Sequence, residues 1–249
     1  EKIRKKEKNL NVDLKGIKII DPEKSDKLSD FTNMYFNLRK KKGITIEEAR
    51  STMKRDLFFA AMMVREGLVD GSVGGSTAST ADVMKAGIQV VGMPEGISIV
   101  SSFFLMLFPD RNYSFADCAV VPNPDANQLA DIAVTTADNH KKLTGEEPYV
   151  AMLSFSTKGS ASHELVDKVV SATNIAKSKR PDLNIDGDLQ FDAAIVDSIG
   201  KKKAPGSKVA GRANVLVFPD LNAGNIGYKI AQRLGKAEAV GPMVQGLKK

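Results

Sequence analysis

The stretch Tyr149–Ser162, Y-V-A-M-L-S-F-S-T-K-G-S-A-S, constrains the fold more than any other part of the sequence. Val150–Phe155 is an uncharged, mainly apolar run of buried-strand length, and it stops at hydroxyls, a lysine and a glycine. Beyond the turn, Leu165, Val166, Val169, Val170 and Ile175 recur at helical spacing across Glu164–Ala176. A strand that runs through a short turn into a helix is the building unit of an α/β sheet. Ser156, Thr157, Lys158 and Ser160 fall at that junction. There, free backbone N–H groups, the helix dipole, hydroxyls and an ammonium can converge on an anion, with phosphate the first candidate. A plain helix cap beside a solvated lysine is the other reading of the same residues.

Two more units of this kind are predicted. Leu68-Val69 opens into a Gly/Ser/Thr-rich turn holding Ser76 and Thr77, followed by a helix from about Ala81 to Val90, with a flexible loop capped by Ser or Thr as the other reading of the same residues. Asn214–Phe218 reads as a buried strand ending in Pro219–Asn225, with a helix over Ile226–Leu234. Elsewhere, residues 1–14 fit either a helix end or a loose tail. Gly16–Ile20 reads as a short strand and Leu28–Leu38 as a helix. Thr45–Glu48 has capping-box spacing for a helix through Leu57–Val64 to Gly67. Ile97–Phe108 and Phe115–Val121 form a predicted hairpin around Pro109–Tyr113, and Asn123-Pro124-Asp125 starts a helix through Gln128–His140. The acids of Pro181–Asp192 are expected to face solvent or cap turns, Lys201–Gly211 to form a loop, and Ala237–Met243 to form a last strand. Alternating strands and helices imply a mostly parallel sheet, with ligands bound outside the carboxyl ends of the strands, where all three turns lie.

Composition removes several functions. The net charge of +6 is offset by 30 interspersed acids, and 6% aromatic residues without tryptophan leave no platform for stacking bases. A small anion is a better ligand than nucleic acid. The single cysteine, Cys118, excludes an internal disulfide framework and reads as a buried thiol. No run reaches membrane-spanning length and no apolar region follows the charged first residues, so a cytoplasmic address is expected. A Walker loop and a G-x-G-x-x-G fingerprint are both missing. His140 and His163, both in predicted helices, do not form a metal or Cys/His pattern, so no metal is expected.

Ala151–Ser160, Ile185–Ala194, Lys203–Gly206 with Val209–Gly211, and above all Val217–Gly246 (V-F-P-D-L-N-A-G-N-I-G-Y-K-I-A-Q-R-L-G-K-A-E-A-V-G-P-M-V-Q-G) resemble the phosphate acetyl/butyryltransferase family. Tyr35–Thr45 and Val69–Asp82 extend the likeness over nearly the whole chain. The resemblance implies a two-domain α/β fold, with mostly parallel sheets and helices on both faces, like isocitrate and isopropylmalate dehydrogenases. On that basis residues 1–70 belong to a first domain, 71–225 to a second with the cleft loops, and 226–249 return to the first. The implied reaction is acetyl-CoA plus phosphate giving acetyl phosphate plus CoA, in a homodimer, with coenzyme A as a substrate and no resident cofactor.

Carried over by position, Arg39 matches an arginine for substrate or CoA phosphate, while Ser154–Ser160 and Asp220–Asn225, including Asp220, Asn222 and Asn225, match cleft loops. Ser76, Thr77 and Lys85 belong to the same set. The family's turn histidine is Ala78 here and its next arginine is Lys85, which keeps the charge and loses the bidentate fork. The family's serine, arginine and aspartate motif is expected beyond Lys249, which leaves the catalytic residues unassigned. Transfer of butyryl or another acyl group, and a non-catalytic acetyl-CoA-sensing or dimerisation domain like the tail of some malic enzymes, are the alternatives.

Overall fold

A computed structural model describes the chain from Lys2 to Lys249. Its contacts divide it into Glu1–Thr77 and Ala78–Lys249. The first unit holds α1 (Lys2–Leu10), α2 (Leu28–Arg39), α3 (Ile46–Met53) and α4 (Asp56–Arg65). Thr45 and Glu48 form the predicted capping box at the start of α3. The expected single helix breaks after Met53 because Arg55 is extended, with φ −80 and ψ 129. Phe31 packs on Phe59 at 4.9 Å between ring centroids and Tyr35 on Phe58 at 6.0 Å, joining α2 to α4. Neither Gly16–Ile20 nor Leu68-Val69 is a strand; Ile17, Ile19, Ile20 and Leu68 are exposed.

The second unit runs α5 (Thr80–Ala86), β1 (Ser101–Leu107), β2 (Asn112–Ala116), α6 (Ala126–Thr144), β3 (Tyr149–Leu153) and α7 (Glu164–Lys179). It continues with β4 (Asn184–Leu189), α8 (Phe191–Ile195), α9 (Asp197–Lys203), β5 (Val215–Val217), α10 (Leu221–Arg233) and β6 (Glu238–Gln245). The sheet order is β4-β3-β5-β2-β1-β6. Pairs β4/β3, β3/β5 and β5/β2 are parallel, and β2/β1 and β1/β6 antiparallel. The sheet is therefore mixed, and the predicted hairpin is its β1/β2 pair, with Phe104 opposite Phe115. After α10 the chain leads into β6, which pairs antiparallel with β1 at the edge of this sheet.

Period-two alternation sends strand side chains to two cores. Val150, Met152, Val215 and Val217 pack with Leu129 and Ile132 of α6 and Val169 and Ala172 of α7. On the other face Ala151, Leu153 and Leu216 pack with Ala194 of α8 and Tyr228 and Ala231 of α10.

β4 is the strand that its acids conceal. A Cβ at Gly187 would lie 2.6 Å from Met152 Cβ and 2.7 Å from Thr173 Oγ1, so glycine lets β4 press against β3 and α7. Asp186 and Asp188 are buried rather than facing solvent. Asp186 Oδ1 accepts from Lys158 Nζ at 2.6 Å and Lys177 Nζ at 2.9 Å, and Oδ2 from Ser207 Oγ at 2.5 Å. Burial pushes its pKa up, and these donors outweigh that and hold it at about 2. The predicted loop at 201–211 likewise begins inside α9, whose residues 201–203 are its last turn.

Asp117 follows β2, is 3% exposed and, among the described residues, forms no ion pair. Its carboxylate accepts from Ser102 Oγ and from the N–H groups of Ala119, Val120 and Val121. That folds the loop so that α10 meets it backbone to backbone, and a Cβ at Gly224 would collide with the Asp117 carbonyl oxygen. Gly224→Ala is expected to lower unfolding stability by about 3 kcal/mol in urea titration, and a change below about 0.5 kcal/mol would refute the close approach. For Asp186 the folded pKa is below the ordinary value of 3.8, so its pairing stabilises the fold above about pH 4 and the contribution fades as pH falls from about 4 through 2. Asp186→Asn should be less stable at pH 7 and lose less of its stability than the parent between those two pH values. Parallel stability curves for the two proteins over that interval would contradict this.

Candidate functional site

The opening turn is built differently from a phosphate cradle. Ser154 N–H donates to Leu189 O, and the N–H groups of Ser156 and Thr157 to Ser154 Oγ and Ser160 Oγ. Lys158 and Gly159 N–H donate to Asp188 O and Asp188 Oδ2, Ser160 N–H to Thr157 O, and Ala161 N–H to Ser156 Oγ. The donors expected to be free from 156 to 161 are thus spent within the turn and on the end of β4. Ser156 and Thr157 are buried, and Thr157 Oγ1 accepts from Gln190 N–H at 2.9 Å. Lys158 has φ +51 and turns its ammonium to Asp186. Helix α7 begins later, capped by the exposed His163, whose Nδ1 accepts from Leu165 N–H at 3.1 Å. His163 is therefore a cap rather than a helical residue.

The turn after β5 is shorter than expected, because α10 starts at Leu221. Asp220 Oδ1 caps it by accepting from Ala223 N–H at 3.0 Å. Asn225 Nδ2 donates to Cys118 O at 2.9 Å and its Oδ1 accepts from Lys229 Nζ at 2.7 Å, so this side chain is a fastening. Asn222 is exposed.

Both turns border one depression of about 1190 Å³, where Ser154, Phe155, Phe218, Pro219, Asp220 and Ala223 meet Leu165, Phe191, Val196 and Ile230. Its wall is apolar, and Phe155, Phe191 and Ile230 are 54%, 48% and 54% exposed. On the polar side of the same turns lies a residue with no motif to announce it: Lys168 of α7 donates to Asn123 Oδ1 and Pro219 O, each at 2.9 Å.

Arg39 ends α2 half-buried, and its Nε is buried without a hydrogen-bond partner. Ser76, Thr77 and Lys85 are exposed. Two groups lie away from any opening. Cys118 is fully buried, and burial, with the Asp117 charge, pushes its thiol far up. His140 is enclosed, with Nδ1 2.9 Å from Ser114 Oγ and its pKa lowered by burial. Among the described residues no cluster of three metal-ligating side chains occurs, and no helix is long and apolar enough to cross a membrane.

The family model described as phosphate acetyl/butaryl transferase matches residues 1–249. The phosphate acetyltransferase of Thermoanaerobacterium thermosaccharolyticum is 55% identical over 242 residues, covering 95% of this chain and 74% of that protein. The phosphate acetyltransferase of Clostridium acetobutylicum is 51% identical over 254 residues, covering 100% and 76%. Among solved structures, the EutD phosphotransacetylase from Staphylococcus aureus superposes with a TM-score of 0.90 at 42% identity, over 100% of this chain and 76% of that one. With a match along its entire length and half of its residues identical to those of such relatives, this chain belongs to the phosphate acetyl/butaryl transferase family.

Proposed function

We propose that this chain is a phosphate acetyltransferase, an enzyme that moves an acetyl group between coenzyme A and inorganic phosphate. The observation that carries this is identity of 51–55% to phosphate acetyltransferases over 95–100% of the chain. In the direction of acetyl-CoA synthesis the CoA thiolate attacks the acetyl carbonyl carbon. A C–S bond forms, negative charge gathers on the carbonyl oxygen, the bond between the carbonyl carbon and the bridging oxygen breaks, and phosphate leaves with that oxygen and the electron pair. The chemistry needs a base for the thiol, donors for the oxyanion and cations for the phosphoryl group.

In this reading Arg39 is a phosphoryl-binding cation. Support comes from its half-buried guanidinium, whose Nε has no partner of its own. Lys85 is a second, exposed cation. Ser76, Thr77 and Asn222, also exposed, face the substrate in this reading. Lys158, tied to Asp186, serves to hold the turn of Ser154, Ser156, Thr157, Gly159 and Ser160 in shape. Transfer of a longer acyl group is the second reading, favoured by Ala78 and Lys85 at positions where the family resemblance has histidine and arginine.

The protein acts as a homodimer in this reading, with the apolar depression covered by a second copy. The exposed Phe155, Phe191 and Ile230 on one wall support it, since such patches on soluble proteins mark contact surfaces. The dehydrogenase-like two-domain architecture goes with the same reading, supported by the division after Thr77. A cytoplasmic address fits a lone buried cysteine.

CoA-dependent arsenolysis of acetyl phosphate tests the reaction: turnover is expected, with acetyl-CoA preferred over butyryl-CoA, and absence of turnover would sink it. Arg39→Met should raise KM for acetyl phosphate at least about tenfold, and an unchanged KM would remove Arg39 from the site. Sedimentation velocity should find a dimer that Ile230→Asp converts to monomer; a monomeric parent or a dimeric variant would refute the covered face.

A further inference from the structure

Lys168 sits in the second turn of α7 and reaches two loops at the carboxyl edge of the sheet. Its ammonium donates to Asn123 Oδ1 in the loop after β2 and to Pro219 O in the turn after β5, both at 2.9 Å. The helix that carries it follows β3, so three adjacent parallel strands, β2, β5 and β3, deliver their ends to this one cation. Both acceptors are neutral. The ammonium has three N–H donors, and among the described residues it forms no ion pair.

Most other lysines with side-chain partners in this unit pair with acids; Lys229, which is exposed, also meets a neutral group, Asn225 Oδ1. Lys158 and Lys177 share Asp186, Lys179 pairs with Asp131, Lys201 with Asp197 and Lys203 with Asp192. Asp220, an acid whose charge acts on Lys168, uses its Oδ1 to cap α10. Burial lowers the pKa of Lys168, with Asp220 acting in the opposite direction. A half-buried cation placed against neutral groups, with a donor left over, is matched to an anionic ligand. The edge it occupies is where parallel α/β sheets bind ligands.

We propose that Lys168 is a substrate-binding residue that holds a phosphoryl group through its remaining N–H. This rests on the transferase reading, and the phosphoryl group belongs either to acetyl phosphate and free phosphate or to coenzyme A. The bland alternative is a staple that only ties the loops at Asn123 and Pro219 together.

Steady-state kinetics in both directions separates these. Lys168→Met should raise KM about tenfold or more for one substrate class, with kcat within about threefold and the melting temperature nearly unchanged. An effect on acetyl phosphate and phosphate assigns the small anion, and an effect on CoA and acetyl-CoA assigns the carrier. Lys168→Arg, which keeps the charge, should recover most of the loss. Unchanged KM for every substrate, or a lowered melting temperature and kcat with KM intact, would overturn the proposal in favour of the staple. If the parent shows no turnover, the transferase reading falls. Calorimetric titration with inorganic pyrophosphate then decides the lysine alone: binding that weakens about tenfold in Lys168→Met supports it, and equal or no binding in the two proteins overturns it.

Discussion

The short strand β5 is the constraint on which the second unit depends. It lies between β3 and β2, and Val215, Leu216 and Val217 are each no more than 1% exposed, so both its faces are closed by helices. Asn214 pins its start: Oδ1 accepts from Tyr149 N–H at 2.7 Å, Nδ2 donates to Glu147 O at 2.9 Å, and its carbonyl accepts from Ser114 N–H. At the other end Phe218 N–H donates to Ala116 O and Leu221 N–H to Pro122 O. With both neighbours parallel to it, the turns after β2, β3 and β5 must emerge on one edge. The candidate site follows from that register rather than from any single loop.

Charge is buried here only where the chain answers it locally. An unpaired buried carboxylate costs about 3–5 kcal/mol. Asp117 avoids that with three backbone N–H groups and a serine, and Asp131 with Lys179 and Ser98. Asp186 does so with two lysines and a serine from three separate segments. The three acids fix respectively the loop under α10, the contact of α6 with α7, and the position of β4. They are scaffolding for the edge where the turns emerge, and their satisfied oxygens leave no capacity for a ligand.

What the sequence disclosed was mostly what short windows encode. β1, β3, α7, β5 and the Thr45–Glu48 box are patterns of four to sixteen residues and lie close to where their patterns put them, while the second hairpin strand, expected over Phe115–Val121, lies earlier at Asn112–Ala116. Strand status at 16–20 and 68–69 failed because a strand needs a partner that a window cannot see. β4 was missed for the opposite reason: its acids look solvated, and they are buried because Lys158 lies 28 residues away from Asp186 and Lys177 nine. The composition of the 154–160 turn was read correctly as rich in donors. Where those donors go is settled by β4, which brings Asp188, Leu189 and Gln190 alongside. No local signal marked Lys168, since a lysine on a helix face is ordinary until its neighbours are known.

The excess of six positive charges therefore says less than the pairing of individual lysines. Lys158 stands in the motif that suggests an anion site, yet its ammonium is 2.6 Å from a buried carboxylate, and a phosphate would have to compete with that partner. Lys168 stands in no motif, and among the described residues its ammonium hydrogen-bonds only an amide and a carbonyl oxygen, which solvate it without forming an ion pair. A half-buried positive charge of that kind raises the potential at the carboxyl edge, where the negative end of a substrate gains most from it. For a reaction whose leaving group is phosphate, an unneutralised cation at the strand ends serves the chemistry better than a neutralised one in the expected turn.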